Sequence, residues 1–237
     1  MLISLIRGEL TFASAIAQIL AILVIIFVVL PFHEWAHAFT AMKLGDTSIK
    51  YRGRLTLNPL SHIDPYGSIA LLLFGIGWAK PVPIDPRNFK HPKLYMGITA
   101  LMGPVANIVA ALVGCIVLHC CDSFIPNFTL DYNMGLAFGE TSFFYYLGTF
   151  LIFYIQVNVS LAIFNFLPIP PLDGSKILFI FLPDKLVEKF YKYEMFIALA
   201  LLLLLWSGLL NKPLTFLTNN VIDGLYWFTG LPFSLIK

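Results

Sequence analysis

Between Leu10 and Met42 the chain runs for 33 residues with three ionisable side chains, His33, Glu34 and His37. About 20 apolar residues cross the roughly 30 Å of a bilayer's hydrocarbon as a helix. As one helix this run reaches about 50 Å, so it must tilt, kink or protrude. Pro31 predicts a kink, and Gly45 predicts the stop. Further apolar runs at 95–118, 143–167 and 195–210 repeat the pattern. With 59% apolar and 12% charged residues the composition suits a membrane domain and not an ordinary soluble one. The expectation is an all-α polytopic membrane protein with about four to six transmembrane helices. It forms a single transmembrane domain over 1–237, with a core of about 15–182 and a C-terminal span and tail over 183–237.

The polar segments set an orientation. Residues 1–9 read as a short amphipathic lead-in to a retained span, because the apolar run continues unbroken past any signal-like cleavage point. Residues 43–93 hold eight basic side chains, from Lys43 to Lys93, against Asp46, Asp64 and Asp85. Residues 119–142 hold no Lys or Arg, and 183–194 holds Lys185, Lys189 and Lys192. The bias places 43–93 and 183–194 in the cytoplasm and 119–142 outside, in a multi-pass protein of a prokaryotic plasma membrane. Ser68–Ile76 is too short to span, so 66–90 reads as a re-entrant loop or short β-strand region. The tail over 213–237, broken by Pro213, Gly224, Gly230 and Pro232, reads as either a span or an interfacial hairpin. Lys+Arg and Asp+Glu number 15 and 13, and no basic face with interleaved aromatics exists, so no nucleic-acid partner is expected. Cys115, Cys120 and Cys121 lack metal-ligand spacing and read as packing residues.

Pro31-Phe-His-Glu-Trp-Ala-His37 carries the chemistry. On a helix, positions i and i+4 share a face about 6 Å apart along the axis, so two imidazoles there can hold one Zn²⁺. Glu34 follows the first histidine and is placed to act as a general base on a water. Charged groups in an apolar span are costly and mark function. If Lys43 marks the interface, His37 lies about 9 Å and His33 about 15 Å below it.

A catalytic zinc usually takes a third protein ligand and keeps a fourth position for water. Asp173 fits, in Asn165-Phe-Leu-Pro-Ile-Pro-Pro-Leu-Asp-Gly174. The prolines break the helix, and irregular backbone at membrane depth belongs inside protein or beside a wet cavity. Asp173 also suits a helix start. His62 and Asp64 are the rival ligands, with an interfacial loop and a helix cap as their structural reading. Lys80 beside Trp78 reads as an interfacial anchor, and Lys176 as a side chain reaching for the cytoplasm.

The pairing of H-E-x-x-H on an early span with N-x-x-P-x-x-P-L-D-G on a later one resembles the site-2 protease family of intramembrane zinc metalloproteases. The resemblance covers about residues 15–182. It implies that His33, His37 and Asp173 hold one zinc per chain, that Glu34 is the catalytic base, and that Asn165 lies at the active site. Asn165 would hold the oxyanion there. A G-x-x-x-N motif matches Gly103-Pro-Val-Ala-Asn107, which makes Asn107 a substrate-contact candidate. Gly77-Trp-Ala-Lys-Pro-Val-Pro resembles compact prokaryotic members without PDZ or CBS domains. Trp78 and Pro81 are further substrate-binding candidates, on an edge over Gly75–Pro83 that an extended peptide could join by strand addition. The implied partners are a transmembrane protein or peptide substrate and the lipid bilayer. A metal transporter would predict repeats and ligands along a path, and neither is visible. A non-catalytic binding protein would lack a ligand or the base, and all are present.

Overall fold

Three helices in the computed structural model are long and apolar enough to cross a bilayer: Ala15–Lys43, Pro92–Phe124 and Phe143–Phe166. The structure describes residues 12–74, 78–125, 130–131, 135–136 and 143–234. The lead-in over 1–9 therefore lies outside the described residues. The first span consists of α1 (Phe12–Val24), a π-helical turn (Ile25–Val29) and α2 (Leu30–Lys43). Just before Pro31, where a kink was expected, the Leu30 N–H bonds back to the Ile25 carbonyl across a widened turn. A proline ring crowds the carbonyl four residues before it, and a π turn just upstream gives that carbonyl room.

Short elements follow: α3 (Ser48–Tyr51), a 3-10 turn (Pro59–Ser61) and α4 (Pro65–Phe74). Ten residues of α4 reach about 15 Å, half a bilayer core, as a re-entrant piece does. Residues 78–85 follow without helix or strand, and the Ile84 N–H closes a tight turn on the Val82 carbonyl (3.0 Å). Pro81 and Pro83 have no N–H to give, which rules out a regular ladder there. The edge expected over Gly75–Pro83 would therefore offer a peptide an interrupted set of N–H donors, and its first three residues lie outside the described ones. A two-residue strand pair instead joins β1 (Leu130–Asp131) to β2 (Gly135–Leu136).

The long spans α5 (Pro92–Phe124) and α6 (Phe143–Phe166) precede α7 (Asp173–Phe179), α8 (Asp184–Lys192), α9 (Glu194–Trp206) and α10 (Asn211–Ser234). A span was expected over 195–210, but α9 has 13 residues, about 20 Å. It meets α10 at 83°, so the pair counts at most as one broken span, and among the described residues the total is three, or four with that pair. The fold is that of an all-α polytopic membrane protein.

The central helix is α5. Its buried face is a row of small residues, including Gly97, Ala100, Gly103, Ala106, Ala110 and Gly114. In lipid, helices associate through close packing, and small residues let backbones approach. One face of α5 meets α6 through Ala111, Cys115 and Leu118 against Leu151, Ile155 and Val159. Val221, Ile222, Leu225 and Tyr226 of α10 cover that cluster. Ile22, Ile25, Ile26 and Val29 of the first span pack with Leu71 and Ala110. Val105, Val109 and Val113 on the outer face of α5 stay exposed, as a lipid-facing surface does. At the end of α2, buried Asp46 accepts hydrogen bonds from the Asp85 N–H (2.8 Å), the Ser48 hydroxyl (2.6 Å) and Asn88 Nδ2 (2.7 Å). Burial opposes its charge, yet these bonds win and hold its carboxyl below the usual range. Asp46 thereby anchors the loop that leads into α5.

Candidate metal centre

A helix through 30–43 puts His33 and His37 one turn apart on the face that meets α5. Their Nε2 atoms lie 3.1 Å apart, with the rings edge to face at 84°. Gly103 makes that approach feasible: a Cβ there would lie 2.6 Å from His33 Cε1 and would overlap the His37 ring. Asp173 is the first residue of α7, delivered by the link after α6. Gly174 lets α7 start hard against the end of α6, since a Cβ there would stand 2.5 Å from the Leu167 carbonyl oxygen. Asp173 Oδ2 ends 3.4 Å from His33 Nε2 and 3.2 Å from His37 Nε2.

Among the described residues this trio forms the one group able to hold a metal ion. Donors about 2.0–2.1 Å from a tetrahedral centre stand about 3.3 Å from one another, estimated from zinc–ligand lengths. The triangle of 3.1, 3.2 and 3.4 Å fits that edge length. The outer ring nitrogens fit as well. His37 Nδ1 lies 2.7 Å from the Thr99 carbonyl oxygen, which only accepts, so Nδ1 carries the proton and Nε2 the lone pair. His33 Nδ1 lies 3.3 Å from Asn107 Oδ1, which selects the same tautomer. Such outer partners orient metal-binding histidines and raise their basicity. Two imidazole lone pairs and a carboxylate converging in apolar surroundings make a donor set suited to Zn²⁺, and zinc is the cofactor of this site.

Glu34 stands beside the trio and not in it. Its Oε2 accepts the Val82 N–H at 3.1 Å. That donor is the one free N–H of Pro81-Val82-Pro83. The segment 78–84 forms a strap across the mouth, pinned by the Lys80 N–H on the His62 carbonyl (2.8 Å) and by Arg52 Nη1 on the Pro83 carbonyl (3.1 Å). Beneath it Glu34, His37, Asp173, Lys176, Pro81 and Val82 line a cavity of about 60 Å³. That volume admits water but no peptide.

The other expected residues are distributed differently. Asn107 has no exposed surface and lies under His33, with its Nδ2 lacking a partner. Asn165 is half-buried in the last turn of α6, eight residues before Asp173. Trp78 is 54% exposed and does not line the cavity, whereas Pro81 does. His62 is fully buried with Nε2 on the Thr56 carbonyl (2.8 Å), away from the trio despite its polar sequence neighbourhood. Asp64 Oδ1 accepts the Gly67 N–H and caps α4. Lys176, expected to reach for the cytoplasm, has its Nζ 3.3 Å from Asp173 Oδ1, which leaves Oδ2 facing the histidines. Three participants carry no motif of their own: the Thr99 carbonyl, the Val82 N–H and Lys176. The Pro-Val-Pro spelling around Val82 is the one sequence signal among them.

Comparison with known proteins agrees with this geometry. Curated relatives that match carry names beginning "Putative zinc metalloprotease". YwhC of Bacillus subtilis is 40% identical over 146 residues, 62% of this chain and 62% of its own length. Rip2 of Mycolicibacterium smegmatis is 33% identical over 60% of this chain and 49% of its own length. MJ0611 of Methanocaldococcus jannaschii is 31% identical over 62% of this chain and 63% of its own length. The matches thus span about half to three fifths of those relatives. No solved structure matches. The family model of peptidase family M50 matches residues 21–205, most of the chain. The chain belongs to peptidase family M50.

Proposed function

We propose that the protein is a zinc metalloendopeptidase that hydrolyses peptide bonds in or near transmembrane segments of membrane proteins. The observation that carries this is the His33–His37–Asp173 triangle with Glu34 beside it, the two histidines and Glu34 being buried in an apolar span. When bound, Zn²⁺ supplies a Lewis acid that polarises a carbonyl and acidifies a coordinated water. Glu34 accepts the proton of the attacking water and returns it to the leaving amine nitrogen. Its place in the cavity, one residue from His33, supports that role. Asn165 holds the substrate's developing oxyanion from the end of α6. Asn107 fixes His33 from below and, with Trp78 and Pro81, shapes the substrate path.

The substrate peptide must leave its helix, because a helical carbonyl is already hydrogen-bonded and its bond is shielded. It must also shift the strap, because the cavity admits no peptide. The loops 43–93 and 183–194 face the cytoplasm of a prokaryotic plasma membrane, and the chain acts as one transmembrane domain. The test is purified protein incubated with a panel of single-span membrane proteins, with and without chelator. Cleavage that chelator abolishes and zinc restores is the expected result. Metal-independent cleavage, or none across the panel, overturns it.

A further inference from the structure

Away from the metal centre the bundle has two large clefts. One, of about 640 Å³, is lined by apolar side chains and suits hydrocarbon. The other, of about 420 Å³, lies between α6 and α10 with Leu71 of α4 in its wall. Gln156 and Ser160 of α6 line one side; Asn211, Thr215, Thr218 and Asn219 of α10 line the other. The spacings i, i+4 on α6 and i, i+4, i+7, i+8 on α10 make two polar stripes on facing helices. None of the six makes a side-chain hydrogen bond to a described residue, not even Thr218 at 5% exposure.

Depth makes this arrangement informative. Gln156 and Ser160 lie ten and six residues before Phe166, the end of their span. Phe166 itself ends at the level of the metal centre, because its carbonyl oxygen lies against Gly174, next to Asp173. Gln156 and Ser160 thus sit about 15 Å and 9 Å farther into the bilayer than that centre, at 1.5 Å per residue. Side chains with amides and hydroxyls seldom face hydrocarbon, and an acyl chain offers them neither donor nor acceptor. The cleft has Leu71 of α4 in its wall, and the strap over Glu34 begins at Trp78, four residues after that helix ends.

We infer that this cleft docks a membrane-spanning helix of the client protein, one that presents amide or hydroxyl side chains at helical spacing. Gln156 and Ser160 on one flank, and Thr215, Thr218 and Asn219 on the other, hydrogen-bond that helix. Its cytoplasmic end then lies beside the strap. Calling the partner a client rests on the proteolytic reading above; the docking chemistry does not.

The test uses the full zinc-loaded chain carrying Glu34→Gln, in lipid bilayers, so that binding is read without turnover. The probes are a Leu/Ala transmembrane peptide with two Asn residues four apart and a control with Leu at both places. Energy transfer reports affinity, and a photoreactive group at position 215 reports location. The Asn peptide is expected to bind more tightly and to cross-link at 215. Gln156→Leu with Asn219→Leu should weaken it about tenfold, roughly threefold for each lost interhelical hydrogen bond. The control peptide should not respond, and zinc content should stay unchanged. If the double variant loses zinc, Ser160→Ala with Thr215→Val replaces it. Equal binding of both peptides, or no response to either pair of substitutions, overturns the inference. So do cross-links joining two copies of the chain when no peptide is present, which assign the cleft to self-association. Docking as expected without cleavage by the unmutated protein would fault the proteolytic reading alone; cleavage without docking would fault this one alone.

Discussion

His33, His37 and Asp173 turn their donor atoms inward, while Glu34 turns its carboxylate to the strap. That division of labour predicts separable losses. Glu34→Gln keeps all three donors and should retain zinc while cleavage falls by about 10²–10⁴-fold, the worth of a general base. Asp173→Ala removes a donor, so zinc content should fall along with activity. His62→Ala should leave zinc unchanged, because His62 bonds the Thr56 carbonyl and not the trio. Elemental analysis of the three purified variants beside cleavage rates checks this; zinc loss in Glu34→Gln equal to that in Asp173→Ala would contradict it. A second prediction concerns Gly103. An added methyl would overlap the His37 ring, and that ring is held from behind by the Thr99 carbonyl. Gly103→Ala should therefore lower zinc affinity by about 10–100-fold, comparable to losing an outer partner of a metal ligand. Ala106→Gly on the same helix serves as a control for helix propensity. Competition with a chelator reads both, and wild-type affinity in Gly103→Ala would show that the rings can move aside.

At the scale of the element, the strap is the part that length and periodicity do not reveal. The apolar runs locate the first span and α6 to within a few residues, and α5 except for its last six, because hydrocarbon thickness dictates their length. H-E-x-x-H and L-D-G are legible because metal chemistry restricts which side chains can serve. The Thr99 carbonyl is not legible, since every residue has one, and its use depends on how α5 crosses α2. Run length also misjudges 195–210, where the helix ends after Trp206 and Gly208 turns the chain with a φ of +75° before α10 begins. The strap lies between these cases. Pro81 and Pro83 deny the chain a ladder and leave Val82 as the donor for Glu34. Val82→Pro deletes that N–H at a position outside any helix or strand. Losing a hydrogen bond to a charged acceptor costs about 1.5–3 kcal/mol, so cleavage should change by roughly 10–100-fold with zinc retained. A fall means that the N–H orients the base; a rise means that it restrains the base until substrate arrives. Val82→Ala keeps the N–H and should behave as wild type. If Val82→Pro behaves as wild type too, the contact has no part in catalysis.

For the whole molecule, the decisive quantity is the side of the membrane on which the metal centre opens. His37 lies six residues before Lys43, and Asp173 follows the end of α6 by seven, so the centre sits near the 43–93 end of the bundle. That segment carries eight basic residues against three acidic ones, while 119–142 carries no Lys or Arg. Positive charge is retained on the cytoplasmic side during insertion. The 43–93 end, its strap and the metal centre should then face the cytoplasm, and a cut peptide would be released there. Labelling can read this in a chain whose Cys115, Cys120 and Cys121 are replaced by Ala. Asp131→Cys, in β1, should react with a membrane-impermeant maleimide in intact cells. Lys189→Cys, exposed on α8, should react only after permeabilisation. The reverse pattern would turn the bundle over and place scission, and the release of product, on the outer face.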